Sequence, residues 1–255
     1  MTKLQMTLQQ VKVLTYASMR ARYRKTIIGF IWVVLNPILM YSVQAIVFTK
    51  FLQLNLPDYY LFLLGGLLPW IFINSSWDFC TSSIVSAGSI LKSFQISPLT
   101  ILFSSILENF INFFAAFIIL VIPTLLFSDS LSSGMILFPI SLALLILFTS
   151  FTTSIFSLMY VFYRDIKYIT HFLMSILFFL TPIFYPPSFI PSQYKWIIDV
   201  NPLYMIIAPF RACLYNTPLP EILMMQLKGF GVVLVLGIIF TTYWKKCKNE
   251  ILFKI

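Results

Sequence analysis

The chain has 255 residues, of which 60% are hydrophobic and only 10% charged. Soluble domains carry about a quarter charged residues, so the 8 acidic and 17 basic side chains here are too few to cover a water-facing surface. The net charge of +9 does not indicate nucleic acid, because the basic residues sit in short segments beside apolar runs rather than on one soluble face; anionic lipid headgroups are the expected partner.

From the N-terminus, residues 3–25 place Leu4, Leu8, Val11 and Leu14 at helical spacing and close on a basic cluster. This pattern predicts an amphipathic helix lying in the membrane interface, a unit of residues 1–26 ahead of a membrane domain over 27–255. The apolar stretch that follows exceeds the 7–15 residues of a signal-peptide core, so it reads as a retained anchor. A helix of about 20 apolar residues crosses the hydrocarbon, and six runs qualify, at roughly 28–49, 59–80, 99–127, 135–162, 169–187 and 229–244. The expected fold class is therefore all-α integral membrane with six transmembrane helices. With the N-terminus inside, 13 of the 17 Lys and Arg residues fall on the cytoplasmic side, which predicts a multi-pass protein with both termini in the cytoplasm.

Between the second and third runs, residues 84–94 form a candidate short helix ended before Pro98. Ser89, Ile90, Leu91, Lys92 and Phe94 would give it an apolar knob suited to a partner's groove. Within the third run Glu108 is costly in hydrocarbon. It must face the bundle interior, pair with a base or be protonated, an ion pathway being the sharper alternative. Asn36-Pro37 in the first run reads as a kink. Between the fifth and sixth runs, residues 188–226 are rich in proline yet apolar, which predicts two short re-entrant helices dipping into the outer leaflet, joined near Asn201-Pro202.

The chemistry is sparse. No glycine precedes a lysine, so no phosphate loop is encoded. The one histidine, His171, and the widely spaced Cys80, Cys213 and Cys247 make neither a catalytic nor a metal-binding constellation, and disulfides are not expected.

Several local patterns together resemble the ABC transmembrane type-2 permeases, in particular their polysaccharide-export branch. They are Arg20-Ala-Arg22-Tyr23-Arg24-Lys25-Thr26, then Gly29, Trp32 and Pro37, then Arg164-Asp165-Ile166. Further along come Thr181-Pro182-Ile183-Phe184-Tyr185-Pro186, Asn201-Pro202-Leu203 and Phe210-Arg211. The resemblance implies a permease of the inner (cytoplasmic) membrane with no cofactor and no catalytic residue of its own. Two copies enclose a conduit, and two ATP-binding cassette subunits, which carry ATP and magnesium, dock beneath it. The cargo is a polyprenyl-diphosphate- or lipid-linked glycan such as O-antigen, capsule or teichoic-type chains. By position, residues 84–94 match the coupling helix, while Arg164, Asp165 and Lys167 match the charged turn at the cytoplasmic mouth. The outer gate falls on Pro186, Asn201, Pro202 and Arg211. Sugar rings pack on aromatic faces, so Trp32, Tyr41, Trp70, Phe72, Trp77, Tyr160 and Tyr185 are candidate conduit residues. Arg20, Arg22, Arg24 and Arg164 could attract a diphosphate headgroup. The competing expectations are a small-molecule exporter of the same architecture, an ion-coupled secondary carrier and a membrane-embedded transferase.

Overall fold

The structure, a computed structural model, describes residues 3–24, 29–51, 53, 56, 58–94, 96–126, 133–215 and 217–255. Lys25 and Thr26 of the basic motif lie outside the described residues, as does the expected boundary at 26/27. Every regular element among the described residues is helical. Helix α1 covers Lys3–Tyr23, and α2 covers Trp32–Ile46 and runs on as a π turn over Val47–Phe51. The central helix is α3, Tyr59–Thr81, and two short helices follow, α4 over Ser83–Ser86 and α5 over Gly88–Phe94. Next come α6 over Pro98–Leu126, α7 over Phe138–Phe162 and α8 over Ile166–Leu180. The remainder is α9, Lys195–Val200, α10, Pro202–Leu214, α11, Leu219–Cys247, and α12, Ile251–Lys254.

Four of the six expected spans are helices long and apolar enough to cross a membrane: Tyr59–Thr81, Pro98–Leu125, Ser133–Phe162 and Leu219–Cys247. The expected fifth span is shorter, because Pro182 disfavours helical backbone at Thr181, which is extended, and α8 stops at 15 residues. The expected sixth begins some ten residues earlier than its apolar run. Pro218 and Pro220 were grounds for a broken segment, but they sit at the N-terminus of α11, where a missing N–H costs nothing. The first run is a 15-residue helix that carries Pro37 inside it and ends in the π turn.

Helix α3 is the hub. Residues 61 to 70 are all buried, and α2, α6, α7, α8 and α10 pack around it. Two glycines allow the closest approaches: a Cβ at Gly65 would lie 3.1 Å from the Arg211 Cα, and one at Gly66 3.0 Å from the Ile183 carbonyl oxygen. Aromatic contacts bind α6, α7 and α10 to one another, with Phe117–Phe138 at 5.2 Å and Phe138–Phe210 at 5.0 Å between centroids. Polar ties are few. Gln226 of α11 donates to the Leu137 carbonyl and to the Ser141 hydroxyl, each at 2.9 Å, since in hydrocarbon a buried amide has no other partner.

Helices α9 and α10 meet at 93°, and the corner is made by Asn201. Its Oδ1 accepts the N–H groups of Leu203 at 3.0 Å and Tyr204 at 3.3 Å, while Pro202 fills the first helical position. Its Nδ2 donates to the Thr181 hydroxyl at 2.8 Å, tying the corner to the end of α8. Replacing Asn201 with alanine removes the cap and should lower stability by about 1 kcal/mol or more. The melting temperature of the detergent-solubilised protein checks this. Asn201→Asp keeps the cap acceptor, so it should fall between wild type and Asn201→Ala; equal loss in both variants would remove the cap from the account.

Candidate functional site

The residues singled out by sequence gather at the two ends of the bundle. One end holds α1, α4, α5, α12 and most of the basic residues; the other holds α9, α10 and the segment after α8.

At the basic end, α1 packs along α6. The contact is polar where it is deepest. Thr15 Oγ1 reaches the Ser104 carbonyl at 3.2 Å, Ser18 donates to Glu108 Oε2 at 2.5 Å, and Arg22 Nε lies 2.8 Å from Glu108 Oε1. Glu108 has no solvent exposure, so of the alternatives open for it, facing the interior beside a base is realised. Arg22 also stacks over Phe79 of α3 at 3.8 Å. Two expectations change. Arg22 is committed to Glu108 rather than turned outward to attract a headgroup, whereas Arg20, Arg24, Arg164, Asp165 and Lys167 are exposed. The α1 stripe is also split, with Leu14 packed inward and Leu8 outward at 61% exposure, because the face toward α6 is chosen by Thr15, Ser18 and Arg22.

The Ile84–Phe94 segment is two helices broken at Ala87-Gly88. The C-terminal Ile255 packs directly on Gly88, and a second apolar cluster of Ile84, Leu91, Ile101, Leu158, Cys247 and Ile251 joins α4 through α7, α11 and α12. Leu91 is only 2% exposed, which corrects its assignment to a docking knob. The break after α4 turns α5 so that Leu91 enters the same cluster as Ile84. Phe94 at 72% and Ile90 at 38% remain outward, with Ser89 and Lys92 beside them.

At the opposite end, Asn201 and Arg211 converge on the irregular segment 181–186. Arg211 is buried in α10. Its Nη1 donates to the Pro182 carbonyl at 2.8 Å, and its guanidinium lies 4.1 Å from the Phe62 ring centroid. Tyr59 at the start of α3, which sequence reasoning missed, donates to the Phe184 carbonyl at 2.9 Å. Pro186 is half-buried next to it. Together these side chains supply partners for backbone that has left helical pairing, as apolar surroundings require.

The conduit aromatics divide. Trp70 lies 5.6 Å from Phe178, Phe72 is 4.9 Å from Phe113, and Trp77 donates to Thr152 at 2.9 Å. These three are buried within the single chain, so they are core rather than conduit surface. Their large apolar faces fill the hub. Tyr41, Tyr160 and Tyr185 are half-buried, Tyr160 beneath Arg164 at 5.1 Å, and Trp32 is 45% exposed. Trp32 and the exposed Asn36 border a cavity of about 210 Å³ with Arg22, Tyr23, Phe72 and Asn112. Asn112 Oδ1 and Arg22 Nη2 are buried without a hydrogen-bond partner there. Among the described residues no cluster of His, Cys, Asp and Glu could hold a metal ion.

Known proteins are similar to this chain along most of its length. The chain is 28% identical over 225 residues to an O-antigen export system permease protein of Myxococcus xanthus, covering 87% of this chain and 86% of that protein. It is 26% identical over 243 residues to one of Klebsiella pneumoniae, covering 95% and 92%. A polysialic acid transport protein of Escherichia coli matches at 23% over 201 residues, 77% of this chain and 78% of its own. The family model of the ABC-2 type transporters matches residues 9–215. With several helices apolar enough for a bilayer and a match over four-fifths of its length, the chain belongs to the ABC-2 type transporter family.

Proposed function

We propose that the chain is the membrane subunit of an ATP-driven exporter that moves a lipid-linked, O-antigen-like polysaccharide across the cytoplasmic membrane. The observation that carries the reading is end-to-end similarity to O-antigen export permeases, 95% of this chain against 92% of one of them. The sequence supports a division of labour, since it encodes no phosphate loop and power must come from a separate ATPase. The reading takes α2 and α8 as the first and fifth of six spans and residues 1–26 as an interfacial unit on the domain 27–255. Helices α9 and α10 are re-entrant, and both termini are cytoplasmic. Two copies enclose the conduit and two ATPase subunits dock on Ser89, Ile90, Lys92 and Phe94 of α5. The exposed Arg20, Arg24 and Arg164 face the cytoplasm, where a diphosphate headgroup arrives. Pro186, Asn201, Pro202 and Arg211 form the outer gate.

Two features favour an ATPase-driven machine over a carrier working alone. The outward side chains of α5 stand on a packed base, so a push on them is transmitted to α6 and α7 through Leu91 and Ile84. Helix α1 is fastened to α6 by the ion pair of the partly exposed Arg22 with the buried Glu108, so its motion moves α6. Deleting the gene should leave the glycan on its carrier inside the cell, and reconstitution with the ATPase in liposomes should restore ATP-dependent movement of lipid-linked glycan. Normal surface glycan in the deletion strain would end the reading.

Replacing Ile90 and Phe94 together with aspartate should abolish co-purification of the ATPase while the permease stays monodisperse. Leu91→Asp should instead destabilise the fold, because it places an unpaired charge in the apolar cluster. Reversing Arg22 to glutamate sets a second carboxylate against the fully buried Glu108 and removes its base. Export should then fall to near background at normal permease levels, and the swap Arg22→Glu with Glu108→Arg should recover much of it. If Arg22→Glu exports normally, the pair does not couple α1 to α6.

A further inference from the structure

Two cavities on the flank of the bundle meet at Lys228. The larger, about 730 Å³, is a groove between α8 and α11, floored by Trp77, Phe148 and Phe156 and closed at one end by Leu203 and Met205 of α10. Its walls are almost wholly apolar, and the floor makes no polar demand because the Trp77 N–H is already given to Thr152. The smaller cavity, about 190 Å³, is lined by Asp199, Tyr204, Met205 and Lys228. Met205 and Lys228 border both. An apolar slot thus runs into a smaller chamber whose polar groups are one cation, one carboxylate and one phenol.

We propose that this composite cavity is a phospholipid site, with one acyl chain in the groove and a phosphoethanolamine headgroup at Lys228 and Asp199. Length supports a chain confined to one leaflet. From Lys228 to Leu236 α11 rises about 12 Å, close to the roughly 15 Å of half a hydrocarbon core. Charge selects the headgroup. Lys228 Nζ and Asp199 Oδ1 are 3.8 Å apart, a loose pair with both side chains well exposed. A purely anionic headgroup would engage Lys228 and face the Asp199 carboxylate. A zwitterion set antiparallel to the pair gives its phosphate to Lys228 and its ammonium N–H groups to Asp199, which a quaternary choline cannot do. Position 231 keeps the slot open: Gly231 lines the groove, and a side chain there would meet no atom within 4 Å.

Pro202 of the proposed outer gate also lines the groove, so the test sets phospholipid against the cargo's carrier lipid, and native mass spectrometry reads it directly. The purified full chain is offered phosphatidylethanolamine, phosphatidylglycerol and phosphatidylcholine in equal amounts, with a separate arm containing polyprenyl phosphate. One phosphatidylethanolamine should be retained per chain in preference to the other two. Gly231→Trp should cut retention about tenfold without loss of monodispersity, and Lys228→Gln should do the same. Lys228→Arg should retain the lipid, and Asp199→Asn should transfer the preference to phosphatidylglycerol. Equal retention of phosphatidylglycerol by the wild type, no effect of Gly231→Trp, or displacement by polyprenyl phosphate would overturn the assignment. So would cross-linking between copies through Gly231→Cys.

Discussion

Glu108 sits in a part of the bundle where water supplies no partner, and Arg22 is the base beside it. A carboxylate at that depth would be expensive alone. Once the two are together neither can leave cheaply, because each would strand the other. The pair therefore fixes where α1 lies, and Ser18 and Thr15 follow in register on the same face. The apolar cluster around Leu91 and Ile251 then gathers the short helices and the C-terminus against the same end. Many of the features that bear on work done by a partner stand on that one charge being satisfied.

The opposite end obeys the same constraint with different groups. There the backbone itself is the problem, since α8 stops short and residues 182–186 run without helical hydrogen bonds. Arg211 of α10, Asn201 at its N-cap and Tyr59 of α3 serve the stranded carbonyls and the Thr181 hydroxyl. A guanidinium with several donors in fixed directions suits that work better than an ammonium. Its placement also explains why small residues face it across α3, where any side chain at Gly65 would crowd the Arg211 backbone.

Much of this was legible in the sequence, for identifiable reasons. Four apolar runs became long helices because hydrocarbon length is a one-dimensional signal. The need of Glu108 for a base was readable from its depth; that Arg22, not Arg20 or Arg24, supplies it depends on the rotation of α1 against α6, which no local pattern encodes. Leu91 was misread because an apolar residue in a short polar segment looks outward until its neighbours are known. Trp70, Phe72 and Trp77 were misread for a related reason: in a membrane protein an aromatic residue suits the core, the lipid face and a passage equally well. Proline near residue 218 looked like an interruption, though at a helix start it is harmless. Tyr59 and Gln226 carried no signal at all, as their value lies entirely in which carbonyl happens to be opposite.

The brevity of α8 has an effect beyond the chain. Fifteen residues rise about 22 Å, against a hydrocarbon core of about 30 Å, and its outward face is bulky, with Phe172 at 68% and Phe179 at 76% exposure. On the proposed reading, in which α8 is the fifth span, lipids beside it compress to match it, and the membrane is pinched along that flank relative to α6, α7 and α11. On that reading the oily layer beside α8 is thinner than beside the three long helices α6, α7 and α11.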